Sequence, residues 1–520
     1  MKIAILKKKK FILVGILVFS MFLFIGCSGS SNSQPAPNPP TDLKATAVSA
    51  SQINLSWNIP ATAEIAGYNI YRNNVLIKTV TGTTASDTGL SEGTTYCYEV
   101  STLTQYNQES AMSNEVCVMT SGSLDTTFNT TGIITTAIGP GNTQAYGVAV
   151  QSDGKIVVAG NSKNGSHIVF SLARYNTDGS LDTTFNTTGT VTTAIGTGDS
   201  NANGVAIQSD GKIVAAGYAY NGSQIVFALA RYNTDGSLDT TFNSTGIVTT
   251  SINGVNDEAN GVAIQSNGEI VAAGYSQYGS DYEFALARYT TDGALDTTFN
   301  VTGIVTTSIN GVNDEVKGIA IQSDGKIVVA GSSYYGSYYE FALARYTTSG
   351  ILDTTFNTTG TVTTAIGTKQ ASARGVAIQS NGEIVAAGYS YYGSSYAFTL
   401  ARYTTGGSLD TNFNTTGIVT TTVGTGNASA DGVAIQSDGK VVAAGYAYNG
   451  GANRVFATAR YNTDGSLDTN FNTTGTEITA IETGDAYAEA VAIQTDGKIV
   501  VVGNAQIGSY YEFALVRYWP

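Results

Sequence analysis

A single histidine, His167, stands among 520 residues, so a histidine-built metal cluster or a Ser-His-Asp triad has no residues to use. No Cys-x-x-Cys pair, Walker loop or Gly-x-Ser-x-Gly elbow is present either. Charged side chains make up only 12% and proline occurs 7 times. The net charge is −14, and five of the basic residues are lysines within the first ten positions, so the remainder is more acidic still. Such a body repels phosphate backbones, which argues against a nucleic-acid partner. No apolar run is long enough to span a bilayer comfortably; the longest, 11–25, is the length of a signal-peptide core. What is abundant is glycine (60), tyrosine (31) and a 42% share of hydrophobic residues. That mixture excludes a disordered chain and suits short strands joined by tight turns.

The apolar run ends Phe24-Ile25-Gly26-Cys27, followed by Ser28. This resembles a bacterial lipobox, which implies a signal peptide over 1–26, lipidation of Cys27 and attachment to a membrane. Ser28 rather than Asp resembles lipoproteins sent on to the outer membrane, facing the periplasm or the surface. Residues 27–40, rich in Ser, Asn and Pro, read as a tether. If Cys27 carries lipid, Cys97 and Cys117 remain as an even pair, and a disulfide between them fits an oxidising compartment.

Residues 41–120 carry alternating strand signals: Ile53, Leu55 and Trp57, then Gly67-Tyr68-Asn69-Ile70-Tyr71, then Leu90 followed six residues later by Tyr96. This stretch resembles a fibronectin type III domain, with Tyr96 where such β-sandwiches place a tyrosine corner. The alternation that turns Tyr98 and Val100 inward turns Cys97 outward, and likewise Cys117 beside Val116 and Val118. A cross-strand disulfide on the last hairpin is the expectation.

Residues 121–520 repeat one unit seven times. The phrase Leu-Asp-Thr-(Thr/Asn)-Phe-Asn begins at Leu124, Leu181, Leu238, Leu295, Leu352, Leu409 and Leu467. The repeats resemble bacterial delta-60 repeats, which implies a propeller. The residues agree: four short strands per unit, in a representative copy a over 204–208, b over 212–217, c over 225–232 and d over 246–252. The a–b connection, Asp210-Gly211 and its equivalents, predicts a two-residue hairpin turn. The repeats begin on a d-type strand, 132–138, and end on a c-type strand, 513–518. The expected fold is therefore all-β: a fibronectin-like sandwich, then a seven-bladed β-propeller whose N-terminal d-type strand completes the last blade and closes the ring.

Among the copies, the d–a and b–c loops differ most, and in a four-strand meander both emerge on one face. That face carries tyrosines in the third to fifth units, and Tyr278, Tyr282, Tyr335, Tyr339, Tyr392 and Tyr396 are the candidate ligand-binding residues. The d–a loops add Asp257-Glu258 and Asp314-Glu315. The competing reading is that these tyrosines only cover hairpin edges.

Two further patterns look chemical. An Arg recurs in every c strand (Arg174, Arg231, Arg288, Arg345, Arg402, Arg460, Arg517) and an Asp in every Leu-Asp-Thr phrase (Asp125, Asp182, Asp239, Asp296, Asp353, Asp410, Asp468). Sevenfold recurrence argues for a structural bidentate pair rather than one active site. Asn176-Thr-Asp178-Gly-Ser180 faintly resembles a calcium loop, but the copies drift to Ser349 and Gly406 at the Asp178 position. A structural turn is the expectation, with no metal or other cofactor required. The Asn-Thr-Thr triplets match a glycosylation pattern and read instead as loop chemistry.

The function expected from these features is a non-catalytic envelope lipoprotein presenting a propeller to a polysaccharide or protein ligand. A purely structural scaffold is the alternative. A carboxylate-based glycosidase or lyase is a second one, which a titrating carboxylate pair in the central pocket would favour.

Overall fold

The computed structural model describes residues 36–49, 51–61, 64–91, 94–120 and 124–520. The leader, Cys27 and most of the tether lie outside these residues. Every regular element among the described residues is a strand.

The first unit is a sandwich of two antiparallel sheets. One contains Thr41–Ser49, Gln52–Asn58 and Thr84–Thr88; the other orders Val75–Val80, Ile65–Arg72, Thr95–Thr104 and Val116–Met119. Alternation places Ile53, Leu55 and Trp57 in the core with Tyr68, Ile70, Tyr98 and Val100, and Trp57 meets Tyr68 edge to face at 5.4 Å. The Tyr96 hydroxyl accepts the Ser91 N–H at 2.9 Å, closing the corner the spacing predicts. Cys97 and Cys117 stand directly opposite one another on neighbouring strands and are joined by a disulfide.

The rest is seven four-stranded antiparallel sheets, each a propeller blade. In the second blade the strands are a Ser200–Ile207, b Ile213–Tyr220, c Ile225–Tyr232 and d Ile247–Thr250. Strands a and b therefore run further than the sequence suggests, because their pairing continues through Ser200–Ala202 and Tyr218–Tyr220, where buried Ala202 and Ala219 still belong to the core although polar residues interrupt the apolar run. The a–b connection is also longer than expected. Gln208 N–H bonds the Lys212 carbonyl across a three-residue loop, Ser209-Asp210-Gly211, in which only Gly211 takes positive φ. Asp210 is not among the positive-φ residues and accepts the Lys212 N–H, the pattern of a three-residue hairpin rather than a two-residue one.

Core residues lie between blades, not within them. Each apolar cluster joins the facing sides of two neighbours, as where Val157, Phe170 and Leu172 of the first blade meet Ile213, Ala228 and Tyr232 of the second. Every c-strand tyrosine (Tyr175, Tyr232 and their equivalents) is fully buried and reaches a d-strand threonine of the preceding blade at 2.7–2.9 Å.

The seventh blade, Ala486–Ile493, Ile499–Ile507 and Tyr510–Tyr518, takes its fourth strand from Ile133–Thr136, with Leu515 opposite Ile134. Val500, Phe513 and Leu515 then share a core with Ile156 and Ala173 of the first blade. Ring closure thus rests on backbone pairing and apolar packing together.

The triplet Asn-Thr-Thr has its explanation here. Asn186 and Thr187, like their equivalents, are both left-handed, and the Asn186 side-chain amide donates to the Thr190 carbonyl at 2.8 Å.

Candidate functional site

Each innermost strand contains one β-bulge, at the same place in all seven copies. In the second blade the register shifts between Ala202 and Gly204, leaving Asn203 as the extra residue. A bulge turns its extra side chain out of the sheet's alternation. It survives here because the facing b-strand residue is glycine: a Cβ on Gly217 would lie 1.8 Å from the Asn201 carbonyl oxygen. The seven bulged residues are Tyr146, Asn203, Asn260, Lys317, Arg374, Asp431 and Glu489. Together they line one axial cavity of about 320 Å³.

The immediate neighbours of the bulged residue are Ala or Val on one side and Gly or Ala on the other in every copy, yet this position carries six different residue types. Sequence reasoning missed it, although the signal was present: the residue before the a-strand glycine, or before Ala490 in the seventh copy, reads Tyr, Asn, Asn, Lys, Arg, Asp, Glu around the ring, between immediate neighbours that scarcely vary.

The ring is divided electrostatically. Lys317 and Arg374 sit on neighbouring blades, and Asp431 and Glu489 on the next two. Lys317 is held by Glu315 at 2.9 Å. Arg374 lies 3.9 Å from Asp431 and 5.4 Å from the Tyr389 ring centre, and its Nε makes no hydrogen bond. Ser429 donates to Asp431 at 3.0 Å. Glu489 makes no hydrogen bond or ion pair among the described residues. Burial, and then the neighbouring Asp431 charge, raise the Glu489 pKa well above the usual carboxylate range, with Arg374 and Arg454 opposing. Burial also raises Asp431, against the pull of Arg374. On the neutral arc, Asn203 donates to the Ala259 carbonyl at 2.8 Å and Asn260 to that of Val316 at 2.7 Å. Both amides are thereby fixed.

A second cavity of about 210 Å³ lies between the fourth and fifth blades. It shares Lys317 and Arg374 with the axial one and reaches Tyr339 and Tyr389, so the axial ring and the aromatic face are connected.

The candidate tyrosines fall into two groups. Tyr278, Tyr335 and Tyr392 stand at hairpin tips, 67%, 63% and 61% exposed. Tyr282, Tyr339 and Tyr396 fold back in edge-to-face pairs with Tyr275, Tyr334 and Tyr389 at 5.0–5.2 Å, which makes them walls rather than free contact surface. The acidic d–a residues also divide. Asp257 and Asp314 are not presented to a ligand: both are fully buried and accept the Ile252 and Ile309 N–H groups at 2.8 and 2.7 Å. Glu258 and Glu315 are only partly buried. His167 is exposed and stands 3.5 Å from Asp199.

The recurrent Arg and Asp meet in every blade, Nε to Oδ2 at 2.7–2.8 Å, with both side chains buried. The geometry differs from the expected fork across both oxygens. The second oxygen, Oδ1, accepts the N–H two residues on, at 2.9–3.1 Å. Each guanidinium also lies over a phenylalanine, 4.2–4.9 Å from the ring centre. Six of the seven donate onward to a carbonyl of the next blade, as Arg231 does to Thr291. These are clamps between blades. In the calcium-like loop, Asp178 Oδ1 accepts both the N–H and the hydroxyl of Ser180, so turn hydrogen bonds use the oxygen the pattern offers.

Comparison with known proteins divides the chain in the same way. Residues 38–116 match the fibronectin type III domain family. Seven segments, 151–185, 208–242, 265–299, 322–356, 379–413, 436–471 and 494–520, match the family described as "Domain of unknown function (DUF5122) beta-propeller". Curated relatives include chitinase A1 of Niallia circulans, 39% identical over 97 residues (18% of this chain, 14% of that protein). Another is the poly(3-hydroxybutyrate) depolymerase of Ralstonia pickettii, 36% identical over 103 residues (20% of each). The chain thus spans a fifth or less of these relatives' length, and the likeness runs through the fibronectin domain. Among solved structures, a virginiamycin B lyase from Staphylococcus aureus aligns at 14% identity with a TM-score of 0.43, over 74% of this chain and 98% of that one.

Proposed function

From a fibronectin type III domain joined to a DUF5122-type propeller, we infer an exported, lipid-anchored binding protein of the cell envelope that captures a small polar ligand in the axial cavity. The sandwich serves as spacer. The exposed hairpin tyrosines form the rim past which the ligand enters. One observation carries this reading. Between flanking residues that hardly vary, the bulged position that lines the axis takes six different residue types in seven copies. A scaffold needs only a ring that closes, and closure gives no reason for seven copies to diverge there.

The carboxylate pair Asp431 and Glu489 favours a second reading, a hydrolase or lyase using one protonated and one ionised acid. A single assay separates the two. Full-length protein purified from membranes in detergent is titrated with small polar ligands, and each mixture is then analysed for products. Saturable binding with ligand recovered intact supports the binding role. Turnover that is lost in Glu489→Gln, while binding persists, establishes the enzyme. No binding to any ligand, and no change on Arg374→Gln, removes both in favour of a scaffold. The anchor is tested separately: labelled palmitate should enter the wild-type chain and not Cys27→Ser.

A further inference from the structure

The ring's charges narrow the ligand class, on the reading that the axial cavity is a binding site. Two ring residues are left with unspent interactions. Arg374 contacts Tyr389 and approaches Asp431 at a long 3.9 Å, and its Nε is left without a hydrogen bond. Glu489, two blades further on, has neither hydrogen bond nor ion pair among the described residues. Lys317, by contrast, is already held by Glu315.

We propose that the axial cavity binds a small zwitterion, a molecule with a carboxylate and a protonated amine close together, its carboxylate on Arg374 and its ammonium on Glu489. The volume, about 320 Å³, lies at the low end for ligand pockets of roughly 300–1,000 Å³ and suits a single small molecule rather than a polymer segment. A simple anion would satisfy Arg374 but sit beside Asp431 and leave Glu489 without a partner. A simple cation would satisfy Glu489 but sit against Arg374. A neutral sugar would displace water from both charges and compensate neither. Only a ligand with both poles pairs both groups, its ammonium displacing the Glu489 proton to solvent as it docks; a single ion leaves one group without a partner, and that difference supplies the selectivity.

The full-length detergent-solubilised protein is titrated calorimetrically with glycine and D- and L-alanine. Propionate and ethylamine serve as single-ion controls, glucose as the neutral control, and a long peptide with both termini free as the source in which the poles are far apart. The expected result is saturable binding of a free amino acid at least about tenfold tighter than either single ion, the worth of one charge-assisted contact. Arg374→Gln and Glu489→Gln should each remove about tenfold from amino-acid binding. Glu489→Gln should also improve propionate relative to alanine, a gain that misfolding cannot produce. Saturable binding of glucose, a single ion or the long peptide, equal to or tighter than that of the amino acids, overturns the zwitterion while leaving a binding cavity. Absence of binding by every probe, with wild type and variants alike, overturns both.

Discussion

At the scale of single residues, the repeats act as their own control. Six of seven copies place Asn, Thr or Ser at the two left-handed positions after the Phe of each c–d segment; the fourth places Val301 there, at φ 67° and 84% exposed. A β-branched side chain pays a steric penalty in that region that Asn largely avoids. Val301→Asn should therefore stabilise the propeller by about 1 kcal/mol, read as a shift in denaturant midpoint at constant slope. Glu489 makes a prediction of opposite origin. Its folded pKa is raised, so between the unfolded carboxylate value and the folded one the native state holds the extra proton. Stability then falls as pH rises through that window and is flat above it. Glu489→Gln should raise the melting temperature at pH 9 and change it little at pH 4. The clamp aspartates run the other way. Burial opposes their ionisation, but hydrogen bonds from Thr184 and Thr241, with nearby Lys and Arg charges, hold Asp182 and Asp239 below the usual range. Their contribution is present at neutral pH and is lost as pH falls below about 4 toward the folded values.

At the scale of the element, the blade was legible where periodicity and repetition speak together. The c strand, Ile225–Tyr232, coincides with its sequence reading, because an unbroken apolar run ending in Arg-Tyr has no other use. The clamp was legible as a pairing but not as a geometry. Nothing in a recurring Arg and Asp reveals that the second carboxylate oxygen caps the following turn. Asp239→Asn takes the charge from beside Arg231 and should cost about 3–5 kcal/mol, the range for breaking a buried pair. Thermal melts of that variant against wild type measure it. The bulge was not legible. Period-two alternation treats Asn203 as one more strand residue, and only the Cβ-free space at Gly217 lets it turn to the axis. Gly217→Ala should destabilise by roughly 1–3 kcal/mol, as overpacking does, with its largest effect on the packing of the second blade.

At the scale of the whole molecule, seven blades share their cores pairwise, so no blade can lose its neighbour without exposing a face. The closing strand should show this most sharply. Ile134 is buried against Leu515, and Ile134→Asp places a charge in the joint between the last blade and the first. Hydrogen exchange should then lose protection over Tyr510–Tyr518 and Thr143–Val150, while the sandwich strands stay protected. Closure also sets an order in time. Ile133–Thr136 emerges early in synthesis with one edge bare, and its partner arrives some 380 residues later. Until then the strand is open to any passing edge, including that of a sister molecule. A polypeptide halted shortly before Phe513 would contain nearly every repeat and still have nothing to shut it. Such a fragment is a substrate for proteases and a seed for swapped dimers, which makes completion of the last strand the event that converts a string of repeats into a closed ring.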